Sequence, residues 1–342
     1  MAAERDEEYE ARGQSLRQIP RLPKAAYLTK IDLAQNAIDS VKGFPDCPSL
    51  TELDLCQNRI SSIAGLSLPS LKNLYIAENK LARLEGISAL SELECIDVRQ
   101  NMLRTLDDLA GLKKLEWVNA AENCIHELSD ISRVRSLKAL SLRGNMLASL
   151  EEADDLLPRS LENLSIAAND IDDFCQLRYV MDLPKLRELF LIDNPFDSKM
   201  RVKKVTIRPL LLIMMPKLVN VDGDEISDEE RIWTKTNLNA AAAMRVLEEG
   251  EEGVMEYLTE QCSALTTPGP TTAAGSVEDE VEIKVEEEEE EEGGRRGRGR
   301  NESDEEGGGR VRGRGGVGKQ GEGRSKGGKV SQSVDSNMIE EF

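Results

Sequence analysis

Aliphatic residues recur along the chain in a nine-residue phrase, L-x-x-L-x-L-x-x-N, whose clearest copy is LTELDLCQN at residues 50–58. The L-x-L part alternates with period two, which predicts a short strand whose aliphatic side chains point into a core. An asparagine follows where the chain must turn, and its amide can satisfy backbone groups that a buried turn leaves unpaired. The asparagines are separated by 22, 21, 22, 22, 22, 24 and 25 residues: Asn36, Asn58, Asn79, Asn101, Asn123, Asn145, Asn169 and Asn194.

The other half of each repeat reads I/L-x-x-I/L-x-G-I/L, as at residues 60–66 and 81–87, and is long enough only for a 3₁₀ or short helical turn. Longer return segments at 151–160 and 175–184 predict fuller helices there. A period of about 22 residues with this phrase is typical of leucine-rich repeats. The predicted fold is therefore α/β: a leucine-rich repeat solenoid with a curved parallel β-sheet, a short 3₁₀ or helical convex side, a helical C-terminal cap and a disordered tail.

The pattern and composition divide the chain into five segments. An acidic segment that we expect to be a frayed helix or disordered comes first, and Leu16 and Ile19 then begin an N-terminal half-repeat. Ser227 and Glu230 have the spacing of a helical capping box, which opens the last helix. The segments are an acidic N-terminal segment (1–15), a solenoid of eight repeats plus the half-repeat (16–194), a C-terminal cap (195–225), a C-terminal helix (226–262) and a disordered acidic, then RG-rich tail (263–342).

Composition restricts the class of protein. A formal charge of -20 disfavours non-specific binding of the whole chain to nucleic acid or an anionic membrane. No apolar run reaches the ~20 residues of a membrane span, and the acidic N-terminus lacks a secretory signal. The cysteines form no CxxC motif, so we interpret them as reduced thiols of a soluble intracellular protein. They are Cys47, Cys56, Cys95, Cys124, Cys175 and Cys262.

No residue pattern predicts catalysis, a cofactor, a metal site or a small-molecule substrate. His126 is the one histidine of the sequence, and its place three residues after Asn123 favours an exposed turn position over a catalytic base. Asp32, Asp54 and Asp97 recur at one repeat position and could imitate a metal site, although a solvated acidic face is the preferred interpretation. We expect a protein that is not an enzyme.

The x positions of each strand must point away from the core, onto the concave face of the sheet. Trp, Tyr and Arg are the side chains that most often dominate binding energy, and this face carries several of them. In the alternative interpretation, Trp117 folds sideways and only covers the core. The predicted protein-binding residues are Tyr75, Asp97, Arg99, Trp117, Asn119, Arg143 and Phe190.

Basic clusters suggest further contacts. Lys199, Arg201, Lys203 and Lys204 could contact an acidic partner, such as a tubulin tail, or RNA; alternatively they are the solvated face of a cap helix. RG repeats in the tail could bind RNA phosphates and bases, or neutralise the glutamate run at 286–292. The candidate RNA contacts are Arg295, Arg296, Arg298, Arg300, Arg310, Arg312 and Arg314.

Two serines fit acid-directed phosphorylation. Ser227 precedes DEE, and Ser303 lies within NESDEE. Phosphate groups there would add negative charge to segments that are already acidic. Both serines are candidate modification sites.

The repeat phrase and period resemble the short-repeat class first defined by a protein phosphatase-1 regulator. Residues 194–222, from N-P-F to M-P-K-L-V-N-V-D, resemble the C-terminal cap shared by the spliceosomal A-prime protein, axonemal dynein light-chain proteins and other ciliary members. The blocks at 68–87, 140–150 and 183–195 are similar to a radial-spoke leucine-rich repeat protein. Where many such caps have a tyrosine-arginine pair, this chain has Met200, Arg201 and Val202.

The resemblance implies a non-catalytic protein–protein interaction scaffold. It favours a structural adaptor of a cilium or flagellum axoneme, in the cytoplasm and on the cytoskeleton, with axonemal or radial-spoke proteins as partners. The acidic and RG-rich tail instead suggests a nuclear ribonucleoprotein or chromatin adaptor. The repeat type alone suggests a regulatory subunit of protein phosphatase-1. No membrane contact is expected in any of the three.

Overall fold

A computed structural model describes residues 8–202 and 205–263. It contains an 11-stranded sheet in which the strands follow one another in sequence order, as expected of a solenoid. All neighbouring strands are parallel except the last pair, which forms an antiparallel hairpin. The strands are β1 (Glu8–Glu10), β2 (Lys30–Asp32), β3 (Glu52–Asp54), β4 (Asn73–Tyr75), β5 (Cys95–Asp97), β6 (Trp117–Asn119), β7 (Ala139–Ser141), β8 (Asn163–Ser165), β9 (Glu188–Phe190), β10 (Asn220–Val221) and β11 (Asp224–Glu225).

In each of the strands β2 to β9 the middle residue lies in the core, as the period-two alternation predicted. Register places these residues directly beside one another, so that each repeat buries its aliphatic side chains against its two neighbours. No single repeat could bury them alone. The aligned residues, all 0% exposed, are Ile31, Leu53, Leu74, Ile96, Val118, Leu140, Leu164 and Leu189.

The asparagines form the predicted internal ladder. Asn58 donates from Nδ2 to the carbonyls of Leu55 and of Leu33 in the preceding repeat (3.0 Å each), while its Oδ1 accepts from Ile38 N–H (3.0 Å). The bond to the carbonyl three residues before and the two bonds to the preceding repeat recur at all eight positions. Seven of the asparagines also donate to the carbonyl two residues before. Because the bonds go to backbone atoms of two repeats, each asparagine joins its own repeat to the one before it.

The residue before each ladder asparagine has a left-handed backbone. Its φ is between 52° and 66° at Gln35, Gln57, Glu78, Gln100, Glu122, Ala168 and Asp193, and Gly144 has the same role at 66°. This conformation costs roughly 1–2 kcal/mol for a residue with a Cβ. The stacked hydrogen bonds on either side hold the turn in place, which is why glycine is not required in most repeats.

The N-terminal expectation was wrong in part. Residues 8–10 form β1, which pairs in parallel with β2, and Ala11 is buried. Ala11 N–H donates to Asp32 O (2.8 Å) and Gly13 N–H to Ala34 O (3.0 Å), extending the ladder by one strand. The segment forms a strand because it pairs with the edge of the sheet at β2. The sequence did not predict this strand because the segment is polar and has no period-two alternation of apolar residues.

The convex side carries short helical turns. Four are 3₁₀ helices, at Ala25–Tyr27, Ile87–Ala89, Asp107–Gly111 and Phe174–Leu177, in the part of the chain that the structure describes. The two longer return segments contain α1 (Ala153–Leu156) and α2 (Arg178–Met181), which confirms the prediction of fuller helices there.

The C-terminal cap follows β9 and covers the last repeat. Its half-strand β10 pairs in parallel with β9, as predicted, and the capping box between Ser227 and Glu230 is present. The single C-terminal helix is instead three helices, because the chain turns at Leu238–Asn239 and at Gly250 (φ 98°). The helices are α3 (Pro195–Val202), α4 (Arg208–Met214), α5 (Asp228–Asn237), α6 (Ala240–Glu249) and α7 (Glu251–Ser263).

Several predicted features lie outside the described residues. These are Lys203 and Lys204, the arginines of the RG repeats, Ser303 and the predicted disordered tail beyond Ser263.

Candidate protein-interaction surface

The concave face is built from two columns of side chains, contributed by the first and third residue of each strand. Parallel pairing in constant register aligns each column across the sheet. The column of first residues runs from Lys30 through Trp117 to Glu188. The column of third residues runs from Asp32 through Asn119 to Phe190. The geometry therefore places two residues of each strand on the concave side of the sheet.

The acidic residues in the column of third residues have a structural role. Asp32, Asp54 and Asp97 each accept a hydrogen bond at Oδ1 from the backbone N–H two residues on (2.9, 2.9 and 3.1 Å). Asn119 does the same at 3.1 Å. Such local bonds end a strand and start a turn. The recurrence that suggested an acidic surface therefore reflects turn formation.

Arg12 neutralises part of this column. Its Nε lies 3.5 Å from Asp32 Oδ2 and its terminal nitrogen 3.5 Å from Asp54 Oδ2, so one guanidinium joins two repeats. Sequence reasoning missed this contact because it assigned residues 1–15 no ordered role.

Four of the predicted partner-binding residues remain accessible. Arg143 is exposed, while Tyr75, Arg99 and Phe190 are half-buried. Tyr75 lies directly opposite Asp97 on the next strand, and Arg99 Nε is 3.4 Å from Asp97 Oδ2. Tyr75 and Arg99 thus share one region of the concave face, whereas Phe190 lies at β9, the last strand before the cap.

Trp117 differs from that expectation. Its side chain is 7% exposed, and its column neighbours are the small residues Cys95 and Ala139. A tryptophan so buried lies against the sheet, as the alternative interpretation held. Asn119 and Asp97 are also buried, at 2% and 8% exposure. Replacing Trp117 should therefore lower the stability of the protein.

Two of the four predicted cap cations, Lys199 and Arg201, have acidic partners. Lys199 Nζ contacts Asp172 Oδ2 at 2.8 Å and Glu251 Oε2 at 3.6 Å, and Arg201 is paired with Asp197 at 2.8 Å. The hydrogen bond to Asp172 and the charge of Glu251 raise the pKa of Lys199. These contacts fit a solvated face of α3 better than a binding patch.

Two buried thiols, Cys95 on the concave face and Cys175 in a convex 3₁₀ helix, are poorly reactive. Burial, with a smaller effect of Asp97, raises the pKa of Cys95 to about 12. Burial also raises the pKa of Cys175 to about 12. A thiol protonated at neutral pH is a poor nucleophile and metal ligand. Cys47, Cys56, Cys95, Cys124 and Cys175 form no disulfide, and among the described residues no cluster of His, Cys, Asp or Glu suits a metal ion.

Sequence reasoning also missed a set of cations in the turns that precede the strands. Lys113, Arg135, Arg159, Lys185 and Lys217 each occupy such a turn in successive repeats, ahead of β6 to β10. The recurring turn sequences V-R-S-L, P-R-S-L and P-K-L were the signal that could have revealed them. His126, by contrast, is exposed in a turn as predicted.

Comparisons with known proteins agree with the repeat assignment. A leucine rich repeat family model matches residues 26–81. Centrosomal protein of 97 kDa from Homo sapiens is 29% identical over 143 residues, which cover 41% of this chain and 16% of that protein. Leucine-rich repeat-containing protein 23 from Homo sapiens is 33% identical over 92 residues, covering 27% of this chain and 25% of that protein. The matches thus span about a sixth and a quarter of those relatives.

The crystal structure of human 5T4, a trophoblast glycoprotein, is similar with a TM-score of 0.47 and 22% identity, covering 69% of this chain and 94% of that one. The chain has a leucine-rich repeat fold, its repeats point to a protein-interaction scaffold, and none of these matches points to catalysis. None of the described helices has the length and apolar character of a membrane span.

Proposed function

We propose that this chain is a non-catalytic scaffold of the microtubule cytoskeleton, at the centrosome or in the axoneme of a cilium, that binds a protein partner on its concave face. The observation that carries this proposal is the likeness of its repeats to Centrosomal protein of 97 kDa. The resemblance of its cap and three repeat blocks to ciliary and radial-spoke proteins supports the same location. The accessible aromatic and arginine side chains of the concave face supply contacts of the kind that dominate protein interfaces.

The contact region that we propose lies on β4 to β7 and includes Tyr75, Arg99 and Arg143. Arg143 is exposed and Tyr75 is half-buried, so both can meet a docked helix or loop. Trp117 lies beneath this surface and supports it. The proposed partner is an axonemal or centrosomal protein.

Imaging of the tagged full chain in ciliated cells tests the location. We expect signal at the centrosome or along the axoneme; a purely nuclear signal would instead support a ribonucleoprotein or chromatin adaptor and contradict the proposal. The double variant Tyr75→Ala/Arg143→Glu should lose the localised signal at equal expression. A matched control, Arg83→Glu, changes an exposed charge in the return half of repeat three and should keep it. Loss in both variants, or in neither, would argue against the concave face.

A further inference from the structure

A row of cations lies along one edge of the sheet, away from both columns of the concave face. Four of them lie in a tight turn that closes on the leucine two residues before a strand, as at V-R-S-L (134–137) and P-R-S-L (158–161). The fifth, Lys113, lies in a bend at the corresponding place before β6. Because the strands β6 to β10 are aligned in register, these turns are stacked in the same order. We call Lys113, Arg135, Arg159, Lys185 and Lys217 the turn cations.

The turn cations are exposed, and within the described ranges none of them forms an ion pair. Other lysines of the same repeats do form ion pairs: Lys114 pairs with Glu92 at 2.5 Å and Lys138 with Glu116 at 2.6 Å. Lys217 Nζ donates to the carbonyl of Pro184 at 2.8 Å, which keeps its charge beside Lys185. In a chain of net charge -20, a row of unpaired cations is a surface suited to an acidic ligand.

A groove of about 560 Å³ runs beside the middle of the row. Arg135, Arg159 and Lys185 contribute to its lining, Leu157 provides an apolar contact, and Asp154 and Asp155 also line it. Ser160 lies in the lining with its hydroxyl already donated to Leu137 O at 2.7 Å. The two aspartates repel an acidic ligand, and the three cations must outweigh this repulsion for such a ligand to bind.

We propose that the turn cations bind an extended, glutamate- or aspartate-rich segment of a partner protein. Strands about 4.8 Å apart place five turns over about 19 Å, a length that roughly six extended residues span. Guanidinium groups bind carboxylates through paired hydrogen bonds, and ammonium groups add charge. Nucleic acid fits less well, because the groove has no aromatic side chain on which a base could stack. This surface is separate from the concave face, so it stands or falls independently of the proposed location.

Carbodiimide cross-linking of the full chain tests the site directly, with a decaglutamate peptide as the probe. The reagent joins an amine to a carboxylate that touches it, and mass spectrometry identifies the lysine. Lys113, Lys185 and Lys217 should be modified several-fold more than Lys42 and Lys235, which are exposed elsewhere. High salt should remove the excess, since it screens such contacts. Equal modification of all five lysines would overturn the proposal.

Fluorescence anisotropy of labelled decaglutamate at low ionic strength provides the second test. Charge reversal of three turn cations should weaken binding roughly tenfold or more, whereas reversal of three exposed cations on the opposite edge should change it far less. Equal losses would contradict a specific site, and oligouridylate that bound the same residues more tightly than the peptide would overturn the choice of ligand. The test variant is Arg135→Glu/Arg159→Glu/Lys185→Glu, and the control is Arg59→Glu/Lys80→Glu/Arg104→Glu.

Substitution of the two groove aspartates should change the affinity in the opposite direction. Asp154→Asn/Asp155→Asn removes the repulsion from the groove and should tighten decaglutamate binding several-fold. An unchanged affinity would mean that the peptide binds outside the groove, which contradicts the proposed position. If the charge-reversed variant fails to fold by circular dichroism, this variant and the cross-linking of the unmodified chain still decide the question.

Discussion

The solenoid and its C-terminal cap solve the same physical problem in different ways. In the solenoid, each ladder asparagine satisfies backbone groups of its own and the preceding repeat, so one solution is used again at every step. The cap has no following repeat and depends on single residues. Arg208 donates to Glu230 Oε1 (2.7 Å), Glu225 O (2.9 Å) and Val221 O (3.3 Å), joining α4, the β10–β11 hairpin and α5.

The sheet edge shows the same contrast. Asp222 Oδ1 accepts from both Leu191 N–H and Ile192 N–H, which would otherwise meet a further repeat. Burial raises the pKa of Asp222, although these two hydrogen bonds oppose the shift. Repetition spreads stability over neighbours, whereas a terminus concentrates it in a few polar residues. The two regions should therefore respond differently to substitution.

The largest effect is expected from Val98→Asp in the middle of the solenoid. Val98 is 0% exposed, and an unpaired buried carboxylate costs several kcal/mol. Because repeats stabilise one another, several should unfold together, with a large loss of far-UV circular dichroism and a broad, lowered melt. Met102→Asp, at a position 47% exposed, is the control and should melt near the parent temperature. Parent-like melting of Val98→Asp would disprove the account.

Removal of one ladder asparagine should have the next largest effect. Asn123→Ala leaves the buried Leu103 N–H and Val98 C=O without the bonds they make at 3.0 Å, which costs roughly 2–5 kcal/mol. Chemical denaturation measures the loss. The control Gln100→Ala removes an exposed bond to Glu122 on the same edge and should cost no more than about 0.5 kcal/mol. Similar losses from both would count against the ladder.

In the cap, Arg208→Met should loosen α5 while sparing the repeats. We expect a loss of roughly 2 kcal/mol, since the contacts removed include a charge-assisted hydrogen bond. Hydrogen exchange should accelerate in α5 and the β10–β11 hairpin, with parent rates in β3 to β6. Arg245→Met breaks an exposed pair with Glu249 at 3.9 Å and serves as the control. Faster exchange throughout the solenoid would show that the cap is not a separate unit of stability.

The smallest effect concerns Glu230 and pH. Burial would raise the pKa of Glu230, but hydrogen bonds from Arg208 and from Ser227 N–H outweigh it and lower the pKa. A lowered pKa in the folded state means that the carboxylate stabilises the protein above its unfolded pKa and loses this effect as pH falls through the folded one. Glu230→Gln should therefore be less stable than the parent at neutral pH, and the difference should shrink under acid. A difference independent of pH would contradict the assignment.

Much of the fold could be predicted from sequence because it depends on local rules. The leucines give the strand and its buried face, and the asparagine gives the turn. The candidate surface was less predictable. The alternation of side chains along a strand showed that Trp117 is on the concave side. Its burial depended on the small neighbours Cys95 and Ala139, which are 22 residues away on either side. The recurrent aspartates looked like a surface and proved to be turn residues, because their hydrogen bonds are local and give no separate signal in composition.

By itself, the sequence determined the repeat, its register and the order of the strands, since these three features follow from the regular spacing of the repeated phrase. Tertiary structure decided which residues remain accessible. Pairing with β2 ordered Glu8–Glu10, contact with Asp172 and Glu251 engaged Lys199, and stacked turns brought the turn cations into one row. These outcomes depend on contacts between residues that are distant in sequence, and a one-dimensional pattern records only the neighbours within a repeat.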